Sequence, residues 1–171
     1  MGRNPGYLLT GIVRVGLALT AIALLGIVLD IVSMPPRGFP FYLRLSGIGL
    51  VAVGLYLEAR ATFVLWMHGL GTPHPANPPS KLVDRGPYRF SRNPLYVARL
   101  LILTGIGLSL SSLGALFMVL LLAATLEFVL VPREEGRLAA RFGHAYWEYQ
   151  RRVPRWFRFR SGSSSRSRLQ L

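Results

Sequence analysis

Residues 95–131, LYVARLLILTGIGLSLSSLGALFMVLLLAATLEFVLV, decide the fold. One helix of these 37 residues would be about 55 Å long, far beyond a hydrocarbon core of about 30 Å. The weak spot Ser109-Leu110-Ser111-Ser112-Leu113-Gly114 divides the run into two halves of about 16 to 19 residues, each just sufficient to cross. The spacing therefore predicts a tight helical hairpin.

Upstream, a first span runs from about Tyr7 to Val32, interrupted only by Arg14 and Asp30, and Pro35, Pro36, Gly38 and Pro40 break it. A second span runs from about Phe41 to Leu70, with Glu58, Arg60 and His68 in its later turns. The expected fold is an all-α integral membrane protein of about four transmembrane helices, the last two a hairpin, followed by an interfacial amphipathic helix. Four spans place the N-terminus, the 71–95 loop and the C-terminal tail on one side, where nearly all extramembrane Lys and Arg then gather. By the positive-inside rule that side is cytoplasmic.

Composition agrees. Of 171 residues, 51% are hydrophobic and 16% charged, whereas soluble domains carry about a quarter charged residues. The net charge is +13, and half of the twenty Lys and Arg follow the last apolar run, in residues 132–171. A basic segment directly after a span is expected to face anionic lipid, so the anticipated partners are the bilayer and a lipidic or amphiphilic substrate, with neither nucleic acid nor a protein partner expected. There is no cysteine, which excludes disulfides, thiolate nucleophiles and cysteine metal sites. His68, His74 and His144 lack ligand spacing, so no metal is expected, and no dinucleotide-binding glycine motif follows a strand. Residues 1–160 read as one membrane-embedded domain, and the Ser/Arg-rich tail at 161–171 reads as disordered.

Two polar blocks interrupt this apolar chain. The first, Lys81 through Tyr96, follows a proline-rich stretch, Gly71 to Pro79, that cannot be helical. Gly86-Pro87-Tyr88 reads as a tight turn, and Asn93-Pro94 as an N-cap and first position of a helix. Tyr88, Arg89, Arg92, Asn93 and Tyr96 crowd into nine residues at a membrane interface. The second block spans 133–152 and reads as one interfacial helix. Pro132 stands at its start, Glu134 and Glu135 lie in its first turn, and Leu138, Phe142, Ala145 and Tyr149 form its apolar stripe. Pro154 stops it, and Trp147, Trp156, Phe157 and Phe159 interleave with arginines at headgroup level. Glu58 and Glu127 are costly in lipid and so are functional candidates, Glu58 having the alternative of snorkelling or pairing with Arg60. Arg14, Asp30 and Arg44 read as structural.

Gly86-Pro87-Tyr88 and Arg92-Asn93-Pro94-x-Tyr96, followed by Glu134-Glu135, Phe142-Gly143-x-x-Tyr146-x-x-Tyr149 and Val153-Pro154-Arg155, resemble the isoprenylcysteine carboxyl methyltransferase and phospholipid methyltransferase superfamily. The resemblance covers residues 70–155 in the family's order and spacing. It implies a membrane methyltransferase that uses S-adenosylmethionine and acts on a lipidic or amphiphilic acceptor, with a carboxylate favoured over an amine. It also implies cofactor contacts at Lys81, Leu82, Val83, Tyr88, Asn93, Pro94, Leu95, Tyr96 and Glu134. Charge-assisted bonds from Arg92 or Arg133 would hold the cofactor's carboxylate, and Glu127 would face the substrate tunnel. Two departures stand out: Asn93 where the family often has His, and Leu130 where isoprenylcysteine enzymes place a substrate-binding arginine, a role Arg133 could take. The rival readings are a nicotinamide-dependent membrane reductase of the sterol type and a non-enzymatic anchor with a basic tail.

Overall fold

The computed structural model describes residues 5–33, 38–69 and 80–157, and among these the chain is helical with no strand. Helix α1 spans Pro5–Ser33 and α2 spans Phe41–Gly69. After the polar loop, α3 (Pro94–Ser109) and α4 (Leu113–Thr125) form the expected hairpin, and α5 (Val131–Phe142) and α6 (His144–Arg152) complete the chain. Leu8–Val32, Phe41–Gly69 and Leu113–Phe142 are each long and apolar enough to cross a membrane. Helix α3, with 16 residues, is the shorter apolar element, about 24 Å long. The expected proline breaks at 35–36, the expected non-helical stretch at 71–79 and the expected disordered tail at 161–171 lie outside the described residues.

Small residues bring the helices together, as is usual where lipid removes the hydrophobic drive for association. Helix α2 packs on α3, and α1 packs on α4. At the α1–α4 crossing a Cβ on Gly26 would overlap the backbone of Ala115, and one on Gly114 would overlap the Gly26 carbonyl. Gly47 and Gly105 meet in the same way between α2 and α3.

The hairpin turn is tied down from both neighbouring helices. Ser111 adopts a positive φ of 57°, and the Ser112 hydroxyl caps α4 by accepting from the Ala115 amide at 2.9 Å. Asp30 of α1 accepts from the Ser112 hydroxyl and, at 2.6 Å, from the Gly114 amide, while Arg44 of α2 donates from Nε to the Ser109 carbonyl at 3.3 Å. The structural reading of Asp30 and Arg44 is therefore what the fold uses.

The second block differs from expectation in two ways. Pro132 does not begin a separate helix. A π-helical turn, Leu126–Leu130, runs continuously from α4 into α5, and the Val131 amide donates to the Leu126 carbonyl. Widening the helix by one residue just before Pro132 accommodates a ring that would otherwise clash with the preceding turn, so the chain continues where a proline normally stops it. The expected single helix over 133–152 is instead two, broken at Gly143 with φ 54°. That left-handed residue resets the register. Tyr146 and Tyr149 point inward at 1% and 2% exposure, while Ala145, expected on the apolar stripe, is exposed. Leu138 and Phe142 pack on the two tyrosines, joined by Ala139, Val153 and Leu82 from the first block.

Candidate functional site

The first block is a short connector pressed against the end of α2. Gly86 takes φ 57° and opens a 3-10 turn, Gly86–Arg89, whose Tyr88 is buried with Val83 against Ala61, Val64 and Leu65, with Leu95 alongside. Burial pushes the Tyr88 phenol well above the usual tyrosine range, and the charges of Glu134 and Glu58 push the same way while Arg99 opposes them.

Asn93 sits at the N-cap position of α3, but its side chain does not cap the helix. The amide Nδ2 instead donates to the Arg155 carbonyl at 3.1 Å, and the Ser91 hydroxyl donates to the same oxygen at 3.1 Å while accepting from the Asn93 amide nitrogen. The Arg92 amide donates to the Pro154 carbonyl at 3.0 Å. Residues 91–93 and 154–155 therefore run side by side, and the buried Ser91 and Asn93 spend their hydrogen bonds holding the C-terminal strap.

That strap carries the ion network of the site. Arg155 donates from Nη1 to Glu127 at 2.6 Å and from Nη2 to Glu135 at 2.9 Å, and Trp156 donates from Nε1 to the other Glu127 oxygen at 2.6 Å. Arg92 forms an ion pair with Glu135 at 2.8 Å. The hydrogen bonds to Glu135 hold the Arg155 guanidinium above its ordinary pKa. From α6, the Tyr149 hydroxyl donates to the Tyr88 carbonyl at 2.7 Å, and burial raises its own pKa.

One bond links the two blocks through their candidate cofactor residues. The Tyr96 hydroxyl, in the first turn of α3, donates to Glu134 Oε2 in the first turn of α5 at 2.7 Å. Beneath it, Arg99 lies 5.5 Å from the Tyr96 ring centroid and forms an ion pair with Glu58 of α2 at 3.3 Å. The site is thus a polar layer at one end of the helix bundle, where α2 ends and α3, α5 and α6 begin, with apolar helices directly below.

The family model for phospholipid methyltransferases matches residues 43–145, which includes α2, the polar loop, the hairpin and α5. The chain belongs to the phospholipid methyltransferase family. Among curated proteins it is 36% identical over 110 residues to the cobalt-zinc-cadmium resistance protein CzcN of Cupriavidus metallidurans, covering 64% of this chain and 47% of that protein. It is 31% identical over 110 residues to the nickel-cobalt-cadmium resistance protein NccN of Alcaligenes xylosoxydans xylosoxydans, covering 64% and 48%. The chain spans about half the length of these relatives. No solved structure matches it.

The structure brings together many of the residues that the family pattern singles out, though not all in the expected posture. Tyr96 and Glu134 are bonded, and Leu95 lies beside Val83 and Tyr88. Pro94 and Asn93 are buried beneath the strap, Leu82 faces the α6 tyrosines, and Lys81 is exposed. Of the three catalytic candidates, Arg92 is engaged by Glu135, Glu127 by Arg155 and Trp156, and Arg133 is exposed with no ion pair among the described residues. Glu58 pairs with Arg99 and not with Arg60, because residues 58 and 60 point to different sides of a helix. Arg99, Arg155 and Trp156 were not singled out for these roles. A lone arginine inside an apolar run does imply a buried partner, and Val153-Pro154-Arg155 ends the motif, but neither signal names the carboxylates involved.

Proposed function

We propose that this protein transfers a methyl group from S-adenosylmethionine to a lipidic or amphiphilic acceptor at the membrane edge. The observation that carries the reading is the Tyr96–Glu134 bond, which joins the two family blocks where polar loop meets apolar helices. A carboxylate fixed by a phenol, bonded to a block that carries the half-buried Leu82 and Leu95, suits a cofactor with a cationic amine, ribose hydroxyls and a flat apolar base. Glu134 would take the amine or ribose, and Tyr96 would orient it. Leu82, Val83, Tyr88, Pro94 and Leu95 would form the apolar wall, with Lys81 at the rim and Asn93 fixing the loop beneath the strap.

The cofactor would supply a methyl group on a sulfonium, a leaving group needing no acid. The protein's task is then alignment and exclusion of water more than proton transfer. A site between loop and bilayer serves both, since a soluble cofactor arrives from the aqueous side and the acceptor from the lipid. Arg133 is the candidate to hold an acceptor carboxylate, in place of the arginine that Leu130 lacks, which makes carboxyl methylation the first reaction to test. We assign Arg92 and Glu127 to positioning, because their charges are already met by Glu135 and Arg155.

Titration calorimetry in detergent tests the cofactor. S-adenosylmethionine or its demethylated product should bind, and reduced nicotinamide dinucleotide phosphate should not. The reverse pattern would favour the reductase reading, and binding of neither would favour the anchor.

A further inference from the structure

Around the Glu58–Arg99 ion pair, three buried polar atoms have no hydrogen-bond partner among the described residues: Glu58 Oε2, Arg99 Nε and the Tyr88 hydroxyl. They belong to one neighbourhood. Arg99 donates from Nη2 to the other Glu58 oxygen, at 3.3 Å. Tyr88, 9% exposed, packs on the α2 face that continues from Glu58 through Ala61, and its phenol senses the charges of both Glu58 and Arg99. Glu58 lies eleven residues before the end of α2, about 16 Å along the axis, and Arg99 five residues into α3, about 8 Å. The group therefore sits on the membrane side of the polar layer.

Leaving such atoms unpaired in a buried setting is costly, and three together in a native fold call for an occupant. Its chemistry follows from what is left over. Glu58 and Arg99 already balance each other in charge, so nothing ionic is called for. What remains is one acceptor, Glu58 Oε2, one donor, Arg99 Nε–H, and a phenol that can do either. We propose that Glu58, Arg99 and Tyr88 form a subsite for an uncharged group that both donates and accepts hydrogen bonds, a hydroxyl or amide carried by the lipidic acceptor on the membrane side of its reacting group. The proposal extends the methyl-transfer reading by adding a second recognition point for the acceptor, apart from the charged group at Arg133.

The test uses the full chain in detergent and reads lipid binding directly, without turnover. Native mass spectrometry would titrate a ten-carbon monoacylglycerol against its di-O-methyl analogue, which keeps the acceptor oxygens and loses the donors. The wild type should bind the hydroxylated lipid roughly 10-fold more tightly, the worth of one well-made hydrogen bond. Glu58→Gln turns the free acceptor into a donor at constant shape and should reduce that preference to about 3-fold or less, with affinity for S-adenosylmethionine within about 2-fold of wild type. Because Glu58→Gln also leaves the Arg99 charge unbalanced, Tyr88→Phe provides a second variant. It removes a hydroxyl that makes no bond, so it should erase the preference in part while the melting temperature holds or rises. A wild type that does not distinguish the two lipids would overturn the subsite, as would variants that keep the preference, or a Glu58→Gln protein that loses cofactor affinity instead of the lipid preference. Failure of methyl transfer with the lipid preference intact would count against the proposed reaction alone.

Discussion

The Tyr96 hydroxyl donates to a Glu134 carboxylate oxygen at 2.7 Å, tying the first turn of α3 to the first turn of α5 across 38 residues of sequence. A bond between two helix starts at one end of the bundle makes a single site from two separate motifs, and it fixes where a carboxylate is presented.

Glu134→Gln should therefore weaken S-adenosylmethionine binding. A hydrogen bond to a charged group is worth about 1.5–3 kcal/mol, which corresponds to a dissociation constant raised roughly 10- to 150-fold. Tyr96→Phe removes only the orienting bond and should cost a few-fold. If Glu134 is merely a favourable charge near a helix start, Glu134→Gln would cost about 0.3–1 kcal/mol of stability and leave affinity alone. Calorimetry and thermal unfolding on the same preparations separate the two.

Much of the fold could be read from the chain, because lipid demands long apolar runs and the 95–131 run was too long to be one of them. What could not be read turns on single residues whose role depends on distant partners. Pro132 carries a helix-start signal, and only the π-turn before it lets the helix continue. Gly143 has no sequence mark that distinguishes a register break from a tolerated helical glycine. Asn93 has the chemistry of a cap, yet the carbonyl of Arg155 takes its amide. The site's residue types were legible as a cluster, but which cation meets which carboxylate depends on how the strap lies across the loop.

Arg155 is the hub of that strap. Arg155→Ala would leave Glu127 with Trp156 alone and Glu135 with Arg92 alone. A fully buried ion pair broken from one side costs about 3–5 kcal/mol, and because the Arg155 side chain is 31% exposed a loss of about 1–3 kcal/mol is expected. Thermal unfolding in detergent reads it, and an unchanged midpoint would mean the network is ornamental to stability.

Helix packing makes a separate prediction. Gly26→Ala drives a methyl into the Ala115 backbone and should destabilise by about 1–3 kcal/mol. Gly16→Ala, with nothing within 4 Å of the added carbon, should be neutral or slightly stabilising. Equal melting temperatures for the two variants would contradict the α1–α4 crossing.

Topology is tested with reporters. Fusions after residue 75 and at the C-terminus should both read cytoplasmic, and an insertion near Ser111 should read external, as the loop charges require. Opposite readings for the first two would separate the blocks that the site joins.

The central claim is methyl transfer at this site, and the most direct measurement gives the purified protein, in lipid bilayers, methyl-tritiated S-adenosylmethionine and a membrane lipid extract, and follows label into the organic phase. The account predicts protein-dependent labelling that is competed by the demethylated cofactor and reduced at subsaturating cofactor by Glu134→Gln. Cofactor that binds without any label reaching lipid, or labelling that Glu134→Gln leaves untouched, would contradict it.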